Sequence, residues 1–242
     1  GAATFTVRVT DRLGRTTEID RDVTIDATDP PAPSIDAFAG SYVVNELVAS
    51  GSATDATSGV AAVEYSFDES TWTAADGAGS WFKNINVGAS GANLAEGDHT
   101  LYVRTTDRAG NVSASATAAF TVDRADPTLV VNGYTGTTYR SADFTIDGTV
   151  DDSLALGGTP ISVTAVGPGG PVDLSGNPLS YDAGASPPTW SRTIPITDGD
   201  GTYTVTITAS DAVGRTQVAT RDVIVDTAAP GFTVTNIAAD GS

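Results

Sequence analysis

The residues of this chain best equipped for chemistry are its aspartates, which recur at fixed spacings. Residues 1–11, 97–107 and 201–211 align without a gap, each ending on an anchoring Asp. Each anchor opens an Asp-x-x-Gly-Arg/Asn turn: Asp11, Gly14 and Arg15; Asp107, Gly110 and Asn111; Asp211, Gly214 and Arg215. An apolar alternation then ends in Asp26, Asp123 or Asp226, and a proline follows four residues later, at Pro30, Pro127 or Pro230. In the first two cases a further aspartate, Asp29 or Asp126, precedes the proline. Asp55 and the pair Asp151–Asp152 stand in other turn-like stretches. The chain has one histidine and no cysteine, so its ligating chemistry is that of carboxylate oxygen. Such a donor set suits Ca²⁺, which takes about 6–8 oxygens, and does not suit zinc or copper. Aspartate is equally the ordinary turn residue, bonding its own nearby backbone, and that reading stands beside the first.

Composition narrows the function classes. Asp outnumbers Glu 25 to 5, Lys83 is the single lysine beside 11 arginines, and the formal charge is −18. That charge repels a phosphate backbone, which excludes nucleic acid as a partner. No run of about 18 apolar residues is present, so no membrane insertion of this segment is expected. No basic-then-apolar leader opens the chain, although a fragment would lack one. At 40% hydrophobic the chain can fill cores, and without cysteine it must do so without disulfides.

The elements that would position these aspartates are strands. Phe5, Val7 and Val9 alternate with polar neighbours, as do Leu101, Val103 and Thr105, then Val205, Ile207 and Ala209. This period of two marks half-buried antiparallel strands, each joined to the next by the Asp-x-x-Gly turn as a hairpin. Further strand-like runs cover 34–38, 46–53, 60–67 and 81–87, then 128–131, 144–150, 161–166 and 190–194. The Gly/Pro-rich stretch 167–188 reads as a long surface loop. Successive anchors lie 96 and 104 residues apart. About seven strands in that length predict all-β, tandem antiparallel sandwiches of the immunoglobulin kind. The expected parts are a C-terminal hairpin plus linker (1–29), two domains (30–126 and 127–229) and the first strand of another (230–242).

In such a sandwich, two turns and the incoming linker share one end. For the first domain this gathers Asp26, Asp29, Asp55 and Asp107; for the second, Asp123, Asp126, Asp151, Asp152 and Asp211. Carboxylates so crowded repel unless a cation neutralises them, and a Ca²⁺ ion there would tie linker to domain. At the third proline, Ala229 replaces the aspartate, so no site is expected there.

The sequence resembles the bacterial Ig-like repeats of large secreted or surface-anchored adhesins. The resemblance is carried by Asp107-Arg-Ala-Gly110-Asn111, Phe120-Thr-Val-Asp123, the Asp-x-x-Asp-Pro linkers, Gly51-Ser-Ala-Thr-Asp55 with Ser58-Gly59-Val60, and Ile146-Asp-Gly-Thr-Val-Asp151. It implies a non-catalytic stalk or fibre segment, extracellular or on the cell surface, with neighbouring repeats as partners and calcium between domains. Such modules also decorate secreted polysaccharide hydrolases. A glycan- or protein-binding module is therefore the alternative, with a glycan or surface protein as its target.

Catalysis finds little support. His99 aligns with Tyr203 on an inward strand face, where a structural ring belongs. Asp151 and Asp152, adjacent in sequence, are poorly placed to flank a sugar bond. Trp72, Trp81 and Trp190 lie in or beside strands and read as core or edge before sugar platform. Asn111-Val112-Ser113 reads as part of the hairpin, and Asp198-Gly-Asp200-Gly as a turn. A hairpin of 27 residues cannot stand alone, so the chain is expected to continue beyond this segment or to exchange terminal strands in a homo-polymer.

Overall fold

The computed structural model describes residues 1–38 and 42–233. The chain divides into two compact units, Gly1–Arg124 and Ala125–Ser242. The expected first strand of a further domain, within 230–242, falls for the most part outside the described residues.

The first unit begins with a hairpin, β1 (Ala2–Thr10) and β2 (Thr16–Thr24), paired from Ala2↔Thr24 to Thr10↔Thr16. Its sandwich follows as β3 (Tyr42–Val43), β4 (Glu46–Ser52), β5 (Val60–Ser66), β6 (Thr73–Ala74), β7 (Asp76–Gly77), β8 (Ser80–Asn86), β9 (Gly97–Asp107) and β10 (Ala116–Val122). One sheet runs β3-β10-β9-β5-β6 and the other β4-β8-β7. β3 pairs parallel with β10 at the sheet edge. The second unit comprises β11 (Thr128–Val131), β12 (Tyr139–Arg140), β13 (Phe144–Asp151), β14 (Leu156–Gly167), β15 (Gly170–Pro171), β16 (Ser180–Asp182), β17 (Thr189–Ile194), β18 (Gly201–Asp211) and β19 (Thr216–Val225). Its sheets run β11-β13-β17-β16 and β12-β19-β18-β14-β15, which is the strand order of the first sandwich with β11 added at one edge. The all-β reading holds.

Alternation decides which side chains meet. Leu101, Val103 and Thr105 are fully buried, as are Val205, Ile207 and Ala209. They face Leu47, Ala49, Trp81 and Ile85 in the first core, and Phe144, Ile146, Trp190 and Ile194 in the second. The same register positions in the hairpin stay exposed: Phe5 at 62%, Val7 at 43% and Val9 at 65%. Among the described residues no second sheet covers this face.

Two sequence expectations need amendment. Residues 34–38 form no regular strand; Pro31 and Pro33 lead into a segment that bonds β4 at two points, Ser34 N–H to Ser52 O and Asp36 N–H to Ser50 O, both 2.8 Å. The 167–188 stretch is not merely a surface loop. It contains β15 and β16 and sends Val172 and Leu174, each 8% exposed, into the core. These strands are too short to show a period of their own.

Candidate metal centre

The three turns that begin at the anchoring aspartates are built alike. Asp107 Oδ1 accepts the backbone N–H groups of Ala109 and Asn111, both at 2.8 Å, and Gly110 takes a φ of +96° to close the turn. Asp11 and Asp211 receive the corresponding pairs from Leu13 and Arg15, and from Val213 and Arg215. Turn chemistry thus accounts for one carboxylate oxygen of each aspartate. The other oxygen accepts from Arg15 Nε in the first turn and from Asn111 Nδ2 in the second, and in the third Asp211 Oδ2 has no donor among the described residues.

In the first unit the loop between β4 and β5 supplies Asp55, whose Oδ2 accepts Gly59 N–H at 2.7 Å, Ser58 N–H at 2.8 Å and Thr57 N–H at 3.1 Å. The segment leaving β2 brings Asp26, whose Oδ2 also accepts Ser58 N–H, at 3.1 Å. Oxygens of Asp26, Asp55 and Asp107 lie within 4.8 Å of one another, and Asp107 is only 2% exposed. The five ion pairs found among the described residues include none of the three. Asn111 Nδ2 donates to Asp107 Oδ2 at 2.7 Å and stands 3.4 Å from the main-chain oxygen of Asp26.

Electrostatics in this group pull in opposite directions. The Gly59 N–H does most to hold the Asp55 carboxyl below its ordinary value, against burial and the charge of Asp107. Burial pushes Asp107 upward, but the Asn111 side chain and backbone and the N–H groups of Ala109 and Gly110 outweigh it, leaving its carboxyl lowered too. Both are ionised near neutrality. Three negative groups at this spacing form an oxygen-only donor set of the hard type that Ca²⁺ accepts.

Of the other sequence candidates, Asp29 is exposed and outside this group. In the second unit Asp152 Oδ1 accepts Leu154 and Ala155 N–H, the counterpart of the Asp55 turn, while Asp151 Oδ1 accepts Asp152 N–H. Asp152 Oδ2 and Asp211 Oδ2 are buried without a hydrogen-bond donor among the described residues. Asp126 pairs with Arg215, Nη2 to Oδ1 at 2.7 Å, a contact that spacing alone did not reveal. Asp123 lies fully buried just beyond β10, in the first unit.

Sequence reading also missed a clamp at the opposite end of each sandwich. Glu96 accepts the Arg124 N–H at 2.8 Å, and Asp200 accepts the Thr227 N–H at 2.9 Å and hydroxyl at 2.7 Å. Each acid directly precedes the glycine that opens β9 or β18, which is the signal that could have found it. Arg124 adds bonds to Val87 O at 2.9 Å and Leu94 O at 3.0 Å. His99 and Tyr203, aligned in the repeats, both reach a carbonyl four residues upstream: Nε2 lies 2.8 Å from Ala95 O, and the phenol donates to Gly199 O at 3.2 Å. Trp81 and Trp190 are core residues at 2% exposure, and Trp72 carries the Arg104 guanidinium 4.0 Å above its ring. Ser113 is 8% exposed and accepts the Thr105 N–H, consistent with a structural hairpin.

Residues 45–124 match the family model of the bacterial Ig-like domain, the family that the residues suggested. Comparison with curated protein sequences gives no significant match. Among solved structures, the chain is similar to FdeC, an Escherichia coli adhesin, at 17% identity over 92% of this chain and 74% of that one, with a TM-score of 0.48. It is similar to a 1.5-MDa bacterial ice-binding adhesin at 20% identity over 93% and 74%, with a TM-score of 0.40. It is also similar to the fibronectin(III)-like modules of Clostridium thermocellum CbhA at 14% identity over 84% and 100%, with a TM-score of 0.42. No helix among the described residues is long and apolar enough to cross a membrane.

Proposed function

We propose that this chain is a non-catalytic structural segment of a secreted or surface adhesin, its repeats joined by calcium-stiffened linkers. The observation that carries the reading is the convergence of Asp26, Asp55 and Asp107 within 4.8 Å, without an ion-pair partner among the described residues. Asp26 belongs to the segment that leaves the hairpin, whereas Asp55 and Asp107 belong to turns of the sandwich. A shared cation would therefore replace mutual repulsion with ligation and fix the linker to the domain it enters. Support for a comparable ion in the second unit comes from the two donor-free oxygens of Asp152 and Asp211.

Binding of an ion only to the folded state stabilises by RT ln(1 + [L]/Kd), about 2.7 kcal/mol at a hundredfold excess over Kd. The test is thermal unfolding of the full chain in calcium and in EDTA, together with its length by small-angle scattering. Calcium should raise the melting temperature and narrow the length distribution. Identical curves and lengths in both buffers would reject the reading.

A further inference from the structure

The three anchoring turns carry Arg15, Asn111 and Arg215 at their fifth position, and the structure gives each side chain a different partner. Arg15 folds back on its own turn, with Nε 2.7 Å from Asp11 Oδ2. Asn111 donates to Asp107 and stands against the Asp26 main chain. Arg215 turns away from Asp211 to meet Asp126, at 2.7 Å. Asp211 is 3% exposed, and its Oδ2 is left buried without a donor. Asp126 occupies the place in its linker that Asp29 holds in the preceding one.

We propose that the fifth turn residue sets how strongly each linker–domain junction demands a divalent cation. Asn111 keeps the Asp26–Asp55–Asp107 group open to calcium; Arg215 supplies positive charge itself and weakens the ion's hold near Asp152 and Asp211. The inference rests on the calcium reading above.

The chemistry of the two side chains supports the division. An amide is uncharged, so the Asn111 side chain, whose Nδ2 faces Asp107 and the Asp26 main chain, adds no positive charge that would oppose a cation. A guanidinium carries a fixed positive charge and five donors but no acceptor, so it can pair with carboxylates yet can only repel a metal. At the first junction, none of the three carboxylates has an ion-pair partner among the described residues. At the second, one acidic side chain of the linker is already neutralised by a guanidinium. The loop that carries Asp152 lies against the Arg215 turn, joined by the Ala212 N–H to Ala155 O bond at 3.0 Å. An ion held by Asp152 and Asp211 would therefore feel the nearby charge of Arg215.

Calcium titration calorimetry on the full chain, in wild type, Asn111→Arg and Arg215→Asn, tests this. Circular dichroism confirms that each variant is folded. Asn111→Arg should weaken the tightest site at least tenfold, and Arg215→Asn should tighten or create a second site by a similar factor. Wild-type binding with unchanged affinities in both variants overturns the inference and leaves the calcium reading standing. Loss in Asn111→Arg with no gain in Arg215→Asn overturns it as well, since damage to the turn would then explain the loss. No calcium binding by any of the three proteins removes the calcium reading and this inference together.

Discussion

Trp81 lies across Gly51: the two are paired on β8 and β4, and a Cβ on Gly51 would come 2.9 Å from the indole Cε2. It would also run into the Ser34 carbonyl oxygen, to which the indole Nε1 donates at 3.2 Å. Gly148 and Trp190 repeat the arrangement on β13 and β17, with the same 2.9 Å approach, here to Cζ2. A missing side chain on one strand thus admits both a neighbouring chain and the largest ring of the core. Gly51→Ala and Gly148→Ala should each destabilise their own unit by about 2–3 kcal/mol through overpacking. Urea unfolding, followed by Trp fluorescence, measures both.

The aligned pair His99 and Tyr203 makes a second test. Each bridges to a carbonyl four residues back, but only the phenol is fully buried. Tyr203→Phe removes a donor from Gly199 O and an acceptor from Asp198 N–H, and should cost about 1–2 kcal/mol. His99→Tyr should leave the fold intact, which denaturant titration of the two variants would show. A catalytic role for His99 has no geometric support, since its ring nitrogen is engaged with Ala95 O and its ring lies 5.7 Å from that of Phe120.

Acid should loosen the first unit. Asp55 and Asp107 have folded-state carboxyls lowered from the ordinary 3.8. A lowered value means that the ionised form is favoured by folding. The resulting stability is fully present above the unfolded value and is lost as pH falls through the folded one. Melting temperature in EDTA should hold steady from neutrality to about pH 5 and fall below about pH 4. A flat profile down to pH 2 would contradict the role given to these hydrogen bonds.

The Arg124 clamp predicts a local effect. Its guanidinium bonds Val87 O, Leu94 O and Asn45 Oδ1, and its N–H bonds Glu96. Arg124→Ala should cost about 1.5–3 kcal/mol, the range for hydrogen bonds to charged groups, while Lys should restore only part of it. Hydrogen exchange should show the loss concentrated around residues 86–96.

Much of this was legible because the chain repeats itself. The alternation Leu101–Val103–Thr105 and its partner Val205–Ile207–Ala209 identified the buried faces without reference to any structure. Asp55 and Asp107 were legible as neighbours because the topology of a sandwich places their turns together. Asp29 shared their spacing but points to solvent, since proximity in the linker does not fix side-chain direction. Val172 and Leu174 were hidden in a Gly/Pro-rich stretch, where two- and three-residue strands carry no period. Arg215 was visible as a residue of the turn, but its reach to Asp126 depends on a rotamer that spacing does not encode.

The most direct test of the central claim is calcium titration calorimetry of the metal-stripped chain, repeated with Asp26→Ala. Extracellular calcium modules span Kd values of about 10⁻⁴–10⁻³ M, and a site of that strength or better is expected in wild type. The account predicts saturable binding that Asp26→Ala weakens at least tenfold while the sandwich stays folded. Absence of binding at calcium up to about 10 mM, well above that range, or equal binding by the variant, would contradict it.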